Sequence, residues 1–314
     1  ASNNTAVGHD AGNKVTTGVA NTFIGALAGD GTDDGAYNAA VGYGALSANC
    51  GNDNTAMGVS ALAVNTAASN TAFGRAALTA NTTGTENVAV GSEAGDALDT
   101  GQENTAIGHQ ALSADTKGNH STAIGHGTLY SQNFTSSTDT NNTAVGFSAG
   151  AAVTTGLQNT LIGANAGDAL TDADYNIAIG TDALGADTLG SRSIAIGRRT
   201  LHAQNFTSAT DAYNVAVGFE AGNDISTGVQ NALIGGLAGD ALTDADSNVA
   251  MGHSALSADT LGSRSVAIGA SALEAQNFTS ATNTYNVAVG TLAGGAITTG
   301  KQNTFIGGLA GDAT

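Results

Sequence analysis

The sequence predicts an all-β fold, a single-stranded parallel β-solenoid (β-roll) of about 18 coils with 16 to 21 residues each. A five-residue phrase, first seen as Asn-Thr-Ala-Val-Gly at 4–8, occurs eighteen times along the 314 residues. Its closing glycines lie 16, 17 or 21 residues apart, whereas helical-pair and propeller repeats need about 30 to 50 residues. Residues alternate within the phrase with the period of two that is typical of a strand. Units this short stack on their neighbours, so we expect a rod.

The closing residue of the phrase, called the motif glycine below, is the reference point of every coil. Other positions are numbered from it, so that the asparagine that opens the phrase is position −4. The motif glycines are Gly8, Gly25, Gly42, Gly58, Gly74, Gly91, Gly108, Gly125, Gly146, Gly163, Gly180, Gly197, Gly218, Gly235, Gly252, Gly269, Gly290 and Gly307. Each coil is therefore expected to contain one strand that ends at its motif glycine.

We expect one elongated repeat domain over residues 1–314, in which a longer period overlies the short one. After less regular coils at 1–74, super-repeats of 72 residues occupy 75–146, 147–218 and 219–290, and 291–314 form a partial repeat. Each super-repeat has one coil with four extra residues, in the segments 130–141, 202–213 and 274–285. Insertions that recur at one point of a coil become loops on one side of a solenoid.

Composition excludes several classes of protein. The net charge is −18, from 26 acidic and 8 basic residues, which argues against a nucleic-acid partner. No apolar stretch approaches the 18 residues or so that a membrane span needs, so membrane insertion is not expected. Aromatic residues are 4% and tryptophan is absent, so the chain cannot fill a wide globular core.

The predicted strand is apolar on both faces. Positions −3 and −1 hold β-branched or other apolar residues, as at Val88 and Val90, and position −2 between them is nearly always alanine. Strands of this kind are buried on both faces. We expect the larger side chains to fill the coil and the alanine face to be left bare. Because soluble proteins avoid long apolar strips, we expect three copies to bury their alanine faces together, as a homotrimer.

Three further positions recur in the coil. Position +3 is alanine in sixteen of eighteen coils and predicts a second short apolar segment. A glycine three residues before the phrase, as at Gly18 and Gly228, predicts a turn with positive φ. The asparagine at −4 is expected to bond the backbone and the amide of the next coil, about 4.8 Å away. The ladder residues are Asn21, Asn104, Asn159, Asn231 and Asn303.

The phrases Ser193-Ile-Ala-Ile-Gly197 and Ser265-Val-Ala-Ile-Gly269 resemble the head repeat of trimeric autotransporter adhesins. That resemblance implies a left-handed, trimeric parallel β-roll. The longer unit beginning Asn104-Thr-Ala-Ile-Gly108 is similar to arrays in phage tail fibres, many of which precede a self-cleaving chaperone domain of the endosialidase type. Autotransporter heads use a shorter unit, and neither a stalk nor an anchor is recognised here. Whether a chaperone or an anchor has been removed stays open.

The inserted loops each carry Gln-Asn-Phe-Thr-Ser and supply the candidate receptor contacts. These are Asn133, Phe134, Asn205, Phe206, Asn277 and Phe278. An aromatic residue on a projecting loop either contacts a receptor or sugar or folds back to pack on the coil, and packing is the preferred interpretation.

Two acidic runs hold the candidate metal ligands Asp172, Asp174, Asp244 and Asp246. Calcium prefers clustered carboxylates, but the glycine-rich nonapeptide of calcium-binding rolls is absent, so solvated turns are the preferred interpretation, calcium is the alternative, and no cofactor is expected. No nucleophile, base and acid recur as a set, so we expect no catalytic residues and no enzymatic activity.

These observations lead to a functional hypothesis. We expect a non-enzymatic fibre segment, the trimeric shaft or head of a phage tail fibre or cell-surface adhesin, located outside the cell. Its expected partners are its own copies, other fibre, virion or cell-surface proteins, and a receptor or glycan. An ice-binding or calcium-stabilised β-solenoid surface protein is the alternative.

Overall fold

The computed structural model describes residues 2–312. The fold is an all-β parallel β-solenoid of about 18 turns, and none of the described residues is helical. This confirms the fold class predicted from the repeat. The chain divides into two compact units, Ala1–Gln158 and Asn159–Thr314, and each is described by itself.

The first unit contains eleven short strands. They are β1 (Thr5–Val7), β2 (Thr22–Ile24), β3 (Ala39–Val41), β4 (Thr55–Met57), β5 (Thr71–Phe73), β6 (Val88–Val90), β7 (Thr105–Ile107), β8 (Gly118–Asn119), β9 (Thr122–Ile124), β10 (Thr138–Asp139) and β11 (Thr143–Val145). The strands that end at motif glycines pair in parallel in the order β1-β2-β3-β4-β5-β6-β7-β9-β11. The register is direct, with Thr5 opposite Thr22, so equivalent residues of successive coils lie side by side.

The second unit repeats this arrangement. Its strands are β12 (Thr160–Ile162), β13 (Ile177–Ile179), β14 (Gly190–Ser191), β15 (Ile194–Ile196), β16 (Thr210–Asp211), β17 (Val215–Val217), β18 (Ala232–Ile234), β19 (Val249–Met251), β20 (Gly262–Ser263), β21 (Val266–Ile268), β22 (Thr282–Asn283), β23 (Val287–Val289) and β24 (Thr304–Ile306). The long sheet has the order β12-β13-β15-β17-β18-β19-β21-β23-β24. The two-residue strands form separate parallel pairs, β8–β10, β14–β16 and β20–β22, beside the inserted loops.

The alanine face points into the coil, so the expectation that it would be bare was wrong. Ala40, Ala89 and Ala178 at position −2 are completely buried within the single chain. Positions −3 and −1 lie on the outside, where Ile24 is 41% exposed and Phe73 is 51% exposed. The reason is the narrow coil, whose interior at the strand centre mostly accepts no more than a methyl group. The larger side chains fit only on the outer surface.

The interior volume is filled from positions +4 and +7, which change together. From the coil of Gly74 to that of Gly290, leucine at +4 always accompanies a polar residue at +7, whereas glycine at +4 accompanies Val, Leu or Ile at +7. Leu184 with Asp187 and Gly167 with Leu170 are examples. The side chains of Leu184, Asp187 and Leu170 are fully buried. A Cβ atom at Gly167 would lie 2.8 Å from methyl carbons of Leu161 and Leu170. Each coil therefore has room for one large residue from this pair of positions.

The alanines of the predicted second apolar segment at position +3 are buried, within a series of turns. One detail of the turns differs from the sequence interpretation. The glycines before the phrase do not have positive φ; a Cβ at Gly18 would instead collide with the carbonyl oxygen of Gly35 in the next coil. Positive φ falls on position −5, as at Tyr37 (61°) and Tyr175 (61°). The glycine is required by close packing between coils, which a single coil's sequence does not reveal.

The motif glycine is required for both conformation and space. Gly25 has φ of +131°, and a Cβ there would lie 2.6 Å from the carbonyl oxygen of Gly42. Side chains rarely adopt this backbone conformation, and real Cβ atoms do not approach backbone oxygen so closely.

We predict that Gly25→Ala lowers the free energy of unfolding by more than about 3 kcal/mol, because strain and a backbone collision add. Thermal and urea unfolding followed by circular dichroism measure this change. Gly44→Ala is the matched control, since Gly44 has φ of +61° and nothing within 4 Å of the added carbon. It should cost only about 1 kcal/mol. Equal losses in the two variants would contradict the role given to close packing.

Candidate interaction surface

The outer side of the long sheet in each unit, called the sheet face below, consists of positions −3 and −1. Two positions in each of eighteen coils give 36 residues, and all are Thr, Val, Ile, Ala, Met or Phe. Charged residues make up 11% of the chain, so about four of these positions would be charged by chance. Charge is depleted in this way at the centres of protein interfaces. The sheet face is therefore the part of the surface best suited to a protein partner.

Position −5 forms one margin of the sheet face and carries stacked aromatic and cationic side chains. The guanidinium carbon of Arg192 lies 5.0 Å from the ring centre of Tyr175 and 5.9 Å from that of Tyr213. Arg192 also donates through Nε to Asp211, at 3.1 Å. Direct register explains why Arg192 stacks on the two tyrosines, because residues at one position meet across successive coils.

Position +1 forms the other margin. The rings of His109 and His126 stack with centroids 5.2 Å apart, and His126 stacks on Phe147 at 5.4 Å. In the second unit, Arg198 lies over the ring of Phe219 at 5.6 Å. The histidine rings are nearly parallel, at 16°, so they stack and do not converge on one metal ion.

A buried polar network anchors each inserted loop, and it was not predicted from the sequence. In the second unit, Asp187 Oδ1 accepts from the backbone N–H groups of Gly190 (3.0 Å) and Phe206 (3.2 Å). Its Oδ2 accepts from Gln204 Nε2 at 2.5 Å. The carboxylate thus links the turn before β15 to the start of the loop. Its desolvation raises the pKa of Asp187 from the ordinary 3.8, against the lowering effect of the Gln204 hydrogen bond.

Gln204 makes the remaining hydrogen bonds of the network. Gln204 Nε2 also donates to Ser193 Oγ at 3.1 Å, and Gln204 Oε1 accepts from Asn214 Nδ2 at 2.8 Å. This explains why serine replaces the asparagine at −4 in these coils, since the glutamine amide occupies that space. The same network recurs around Asp115–Gln132 and Asp259–Gln276. The network could have been recognised from the sequence by an aspartate and a glutamine 17 residues apart, each at position +7 of a coil that has leucine at +4.

The loop phenylalanines are buried and the loop asparagines are exposed. Phe134, Phe206 and Phe278 are 6–7% exposed, so they pack on the coil and leave little aromatic surface for a receptor. Their preceding asparagines are exposed and continue a polar ladder: Asn205 Oδ1 accepts from Thr188 Oγ1 at 3.0 Å. The equivalent bonds reach Asn133 and Asn277 at 3.1 and 3.3 Å.

The asparagine ladder lies inside the coils. Asn104 donates from its backbone N–H to Asn87 Oδ1 (3.0 Å) and from Nδ2 to the carbonyl of Gly118 (2.8 Å). The backbone N–H of Asn104 therefore bonds the coil before it, and its side-chain amide bonds the coil after it. Among the predicted ladder residues, a backbone N–H that donates to Oδ1 of the asparagine one coil earlier is found at Asn21, Asn104, Asn231 and Asn303. Asn159 donates from Nδ2 to the carbonyl of Ala173.

The candidate metal ligands do not come together. Asp244 Oδ1 accepts from Thr227 Oγ1 at 2.7 Å, and Asp246 Oδ1 accepts from the N–H of Val229 at 2.9 Å. Asp172 and Asp174 occupy the equivalent turn of an earlier coil. Residues 2–312 contain no group of three or more His, Cys, Asp or Glu that could hold a metal, and no pocket. Over the same range, no helix is long and apolar enough to cross a membrane.

A third set of aspartates lies at position +5, partly buried beside the turns. Burial raises the pKa of Asp96, Asp168 and Asp240 from the ordinary 3.8. The Oδ1 atoms of Asp96 and Asp240 are buried without a hydrogen-bond partner. In the coil before Asp240, the same position is Asn223. A neutral side chain is therefore tolerated there.

Comparison with known proteins adds no assignment, because no family model and no curated protein sequence matches this chain. The case for a function therefore depends on the two surfaces described above, the sheet face and the loops. The sheet face is uncharged, and the loops are held firmly by a buried network.

We predict that Gln204→Ala lowers the free energy of unfolding by about 2–4 kcal/mol, because it removes a hydrogen bond from each of three buried partners, Asp187, Ser193 and Asn214. Hydrogen exchange should rise in the loop at 205–212 and remain slow in the equivalent loops at 133–140 and 277–284. Ser280→Ala, at an exposed serine of another inserted loop in the same unit, should leave both measurements unchanged. Uniform exchange changes across all three loops would contradict a local anchor.

We predict that the protein becomes more stable as the pH is lowered from 8 toward 4. Because burial raises the pKa of these aspartates, the folded state holds their protons more tightly than the unfolded state. The free energy of unfolding then rises as pH falls through the raised pKa values, and this gain is complete near the ordinary 3.8. Thermal midpoints across this pH range test the sign.

Asp240→Asn separates this effect from the overall charge. The variant should raise the thermal midpoint at pH 8 by about 1–3 °C, which corresponds to a few tenths of a kcal/mol in the free energy of unfolding. The dependence of its midpoint on pH should be weaker than in the wild type. A wild-type midpoint that falls between pH 8 and pH 5 would contradict the assignment.

Proposed function

We propose that the chain is a non-enzymatic, structural and adhesive fibre segment that forms a homotrimer, as the shaft or head of a phage tail fibre or cell-surface adhesin. The observation that carries this proposal is the uncharged sheet face. The likeness of the repeat phrase to adhesin heads and tail-fibre arrays supports an extracellular place, on a virion tail appendage or a cell surface.

The area of the sheet face with its margins supports stable association. Nine coils spaced about 4.8 Å apart extend roughly 43 Å, and positions −5 to +1 span about 20 Å along the strand. One unit therefore offers about 860 Å², which a closed trimer divides into about 430 Å² for each of two neighbours, roughly half of the 800 Å² or so that each partner contributes to an ordinary stable interface. Three such faces bury about 2,600 Å² in total, so the association depends on all three contacts closing together.

A three-fold arrangement fits two adjacent apolar positions. In a closed three-fold ring each copy uses one part of its surface on one neighbour and a different part on the other. Positions −3 and −1 provide these two parts. With parallel chains, each coil lies level with the same coil of its neighbours, so the 4.8 Å spacing matches throughout.

The loops supply the adhesive part of the proposal. Asn133, Asn205 and Asn277 are exposed at 72-residue intervals, on loops fixed by the Asp–Gln network. A repeated, rigid, polar loop suits contact with a glycan or a protein receptor, and with other fibre proteins. These asparagines lie at position +8, at the start of loops whose other ends reach the −5 margin, so association through the sheet face would leave them accessible.

Ice binding is the second candidate, and one observation favours it. In the first unit, threonine occupies position −3 in seven of nine coils. Protruding Met57 and Phe73 at position −1 interrupt the flat surface that ordered water would require. Thermal hysteresis of the wild-type chain distinguishes this candidate from a fibre segment.

We predict that the protein sediments as a particle of about 91 kDa, three times the chain mass of 30.4 kDa. Sedimentation equilibrium at micromolar concentration measures this mass independently of shape. A single species of chain mass would overturn the homotrimer, while leaving the fold intact.

A further inference from the structure

We infer that the sheet face of the second unit, and not that of the first, holds the copies together. This inference rests on the proposed homotrimer and names the part of the chain that forms its interface. The occupant of the face is a second copy of the same chain.

The first argument is the chemistry of position −3. In the first unit seven of nine residues there are threonine, whereas in the second unit six of nine are valine or isoleucine. Position −1 is apolar in both units. A buried threonine hydroxyl needs a partner or loses its hydration, while valine and isoleucine lose only unfavourable contact with water. The second unit therefore presents two adjacent apolar columns, and the first presents one.

The second argument is charge at the −5 margin. The first unit exposes three acidic residues there, Asp53, Glu86 and Glu103. Three parallel copies would bring each of them near two identical charges at the same level. The second unit has no acidic residue at position −5 but has Arg192 and Arg264 there. Because Arg192 is neutralised by Asp211 within the chain, the like-charge repulsion at this margin is smaller in the second unit than in the first.

The third argument is the composition of the second unit's margins. Tyr175, Tyr213 and Phe219 are 47–50% exposed beside the apolar columns. Arg192 and Arg198 stack on these rings and are paired with Asp211 and Glu220 at 3.1 and 3.6 Å. Tyrosine and arginine dominate binding energy at protein interfaces. Because both arginines are already paired within the chain, a partner would not have to supply counter-charges.

The experiment compares two full-length triple variants that alter the same position by the same residues. The second-unit variant is Ile179→Thr, Ile196→Thr and Val217→Thr. The first-unit variant is Val90→Thr, Ile107→Thr and Ile124→Thr. All six side chains lie at position −1 on the outer side of the sheet, and threonine is already common at the neighbouring outer position −3. Each triple therefore removes two isoleucines and one valine, and sedimentation equilibrium measures how each one associates.

We expect the second-unit variant to be monomeric where the wild type is trimeric, with association weakened at least a hundredfold. The first-unit variant should remain trimeric, with a change below about tenfold. Equal weakening, or greater weakening by the first-unit variant, would overturn the inference. A monomeric wild type would instead overturn the homotrimer itself, so the two failures are distinguishable.

Cross-linking provides a measurement that does not depend on the fold of a triple variant. Cys50 is the only cysteine and is buried, so Cys50→Ala gives a thiol-free background. In that background, the pair Ile194→Cys and Ile196→Cys places a thiol at both −3 and −1 and should oxidise rapidly to covalently linked copies, and the matching pair Thr122→Cys and Ile124→Cys should do so at least tenfold more slowly. Similar rates would contradict a contact centred on the second unit.

Discussion

The structure depends on one constraint, the direct register between parallel strands of successive coils. Because Thr5 lies opposite Thr22, a residue type that repeats in sequence also repeats in space at about 4.8 Å. Any side chain must therefore be compatible with its own counterpart in the next coil. Asparagine satisfies this condition inside the coil, since its side-chain oxygen accepts from a backbone N–H of the next coil and its side-chain amide donates to a backbone carbonyl of that same coil. The motif glycine satisfies it by leaving no atom that would meet the glycine carbonyl of the following coil.

The interior tolerates variation only where two positions compensate. Each coil is too narrow for two large residues at these positions. It holds either glycine at +4 with an apolar residue at +7, or leucine at +4 with a buried polar residue at +7. Two leucine coils in succession place Asp187 and Gln204 within 2.5 Å. That pair supplies the bonds that anchor the inserted loop. The super-repeat of 72 residues is thus more than a record of duplication, because it brings the leucine coils into pairs and puts a loop beside each pair.

The sequence was sufficient to predict the coil length, the strands and the asparagine ladder, because each of these repeats within one coil. It was insufficient where the answer depended on the width of the coil. The orientation of Ala40 and Ile24 could not be decided from alternation alone, since both faces of the strand are apolar. The glycine at position 18 was assigned to backbone conformation, although its cause is the carbonyl of Gly35 in the next coil. The loop network was missed because its members lie far apart in sequence and are individually ordinary.

Function must be sought on the outside of the coil, because closing the coil uses almost every inward group. Asn104, Asp187 and Phe206 have their bonding or packing capacity satisfied within the chain. The outward positions are free of that requirement, and there the two units differ although their coils are built alike. Threonine and acidic margins in one unit, and isoleucine with paired arginines in the other, serve no purpose in closing a coil. Differences that the fold does not require are best explained by what the surface meets, and an uncharged face with matched spacing fits another copy of itself.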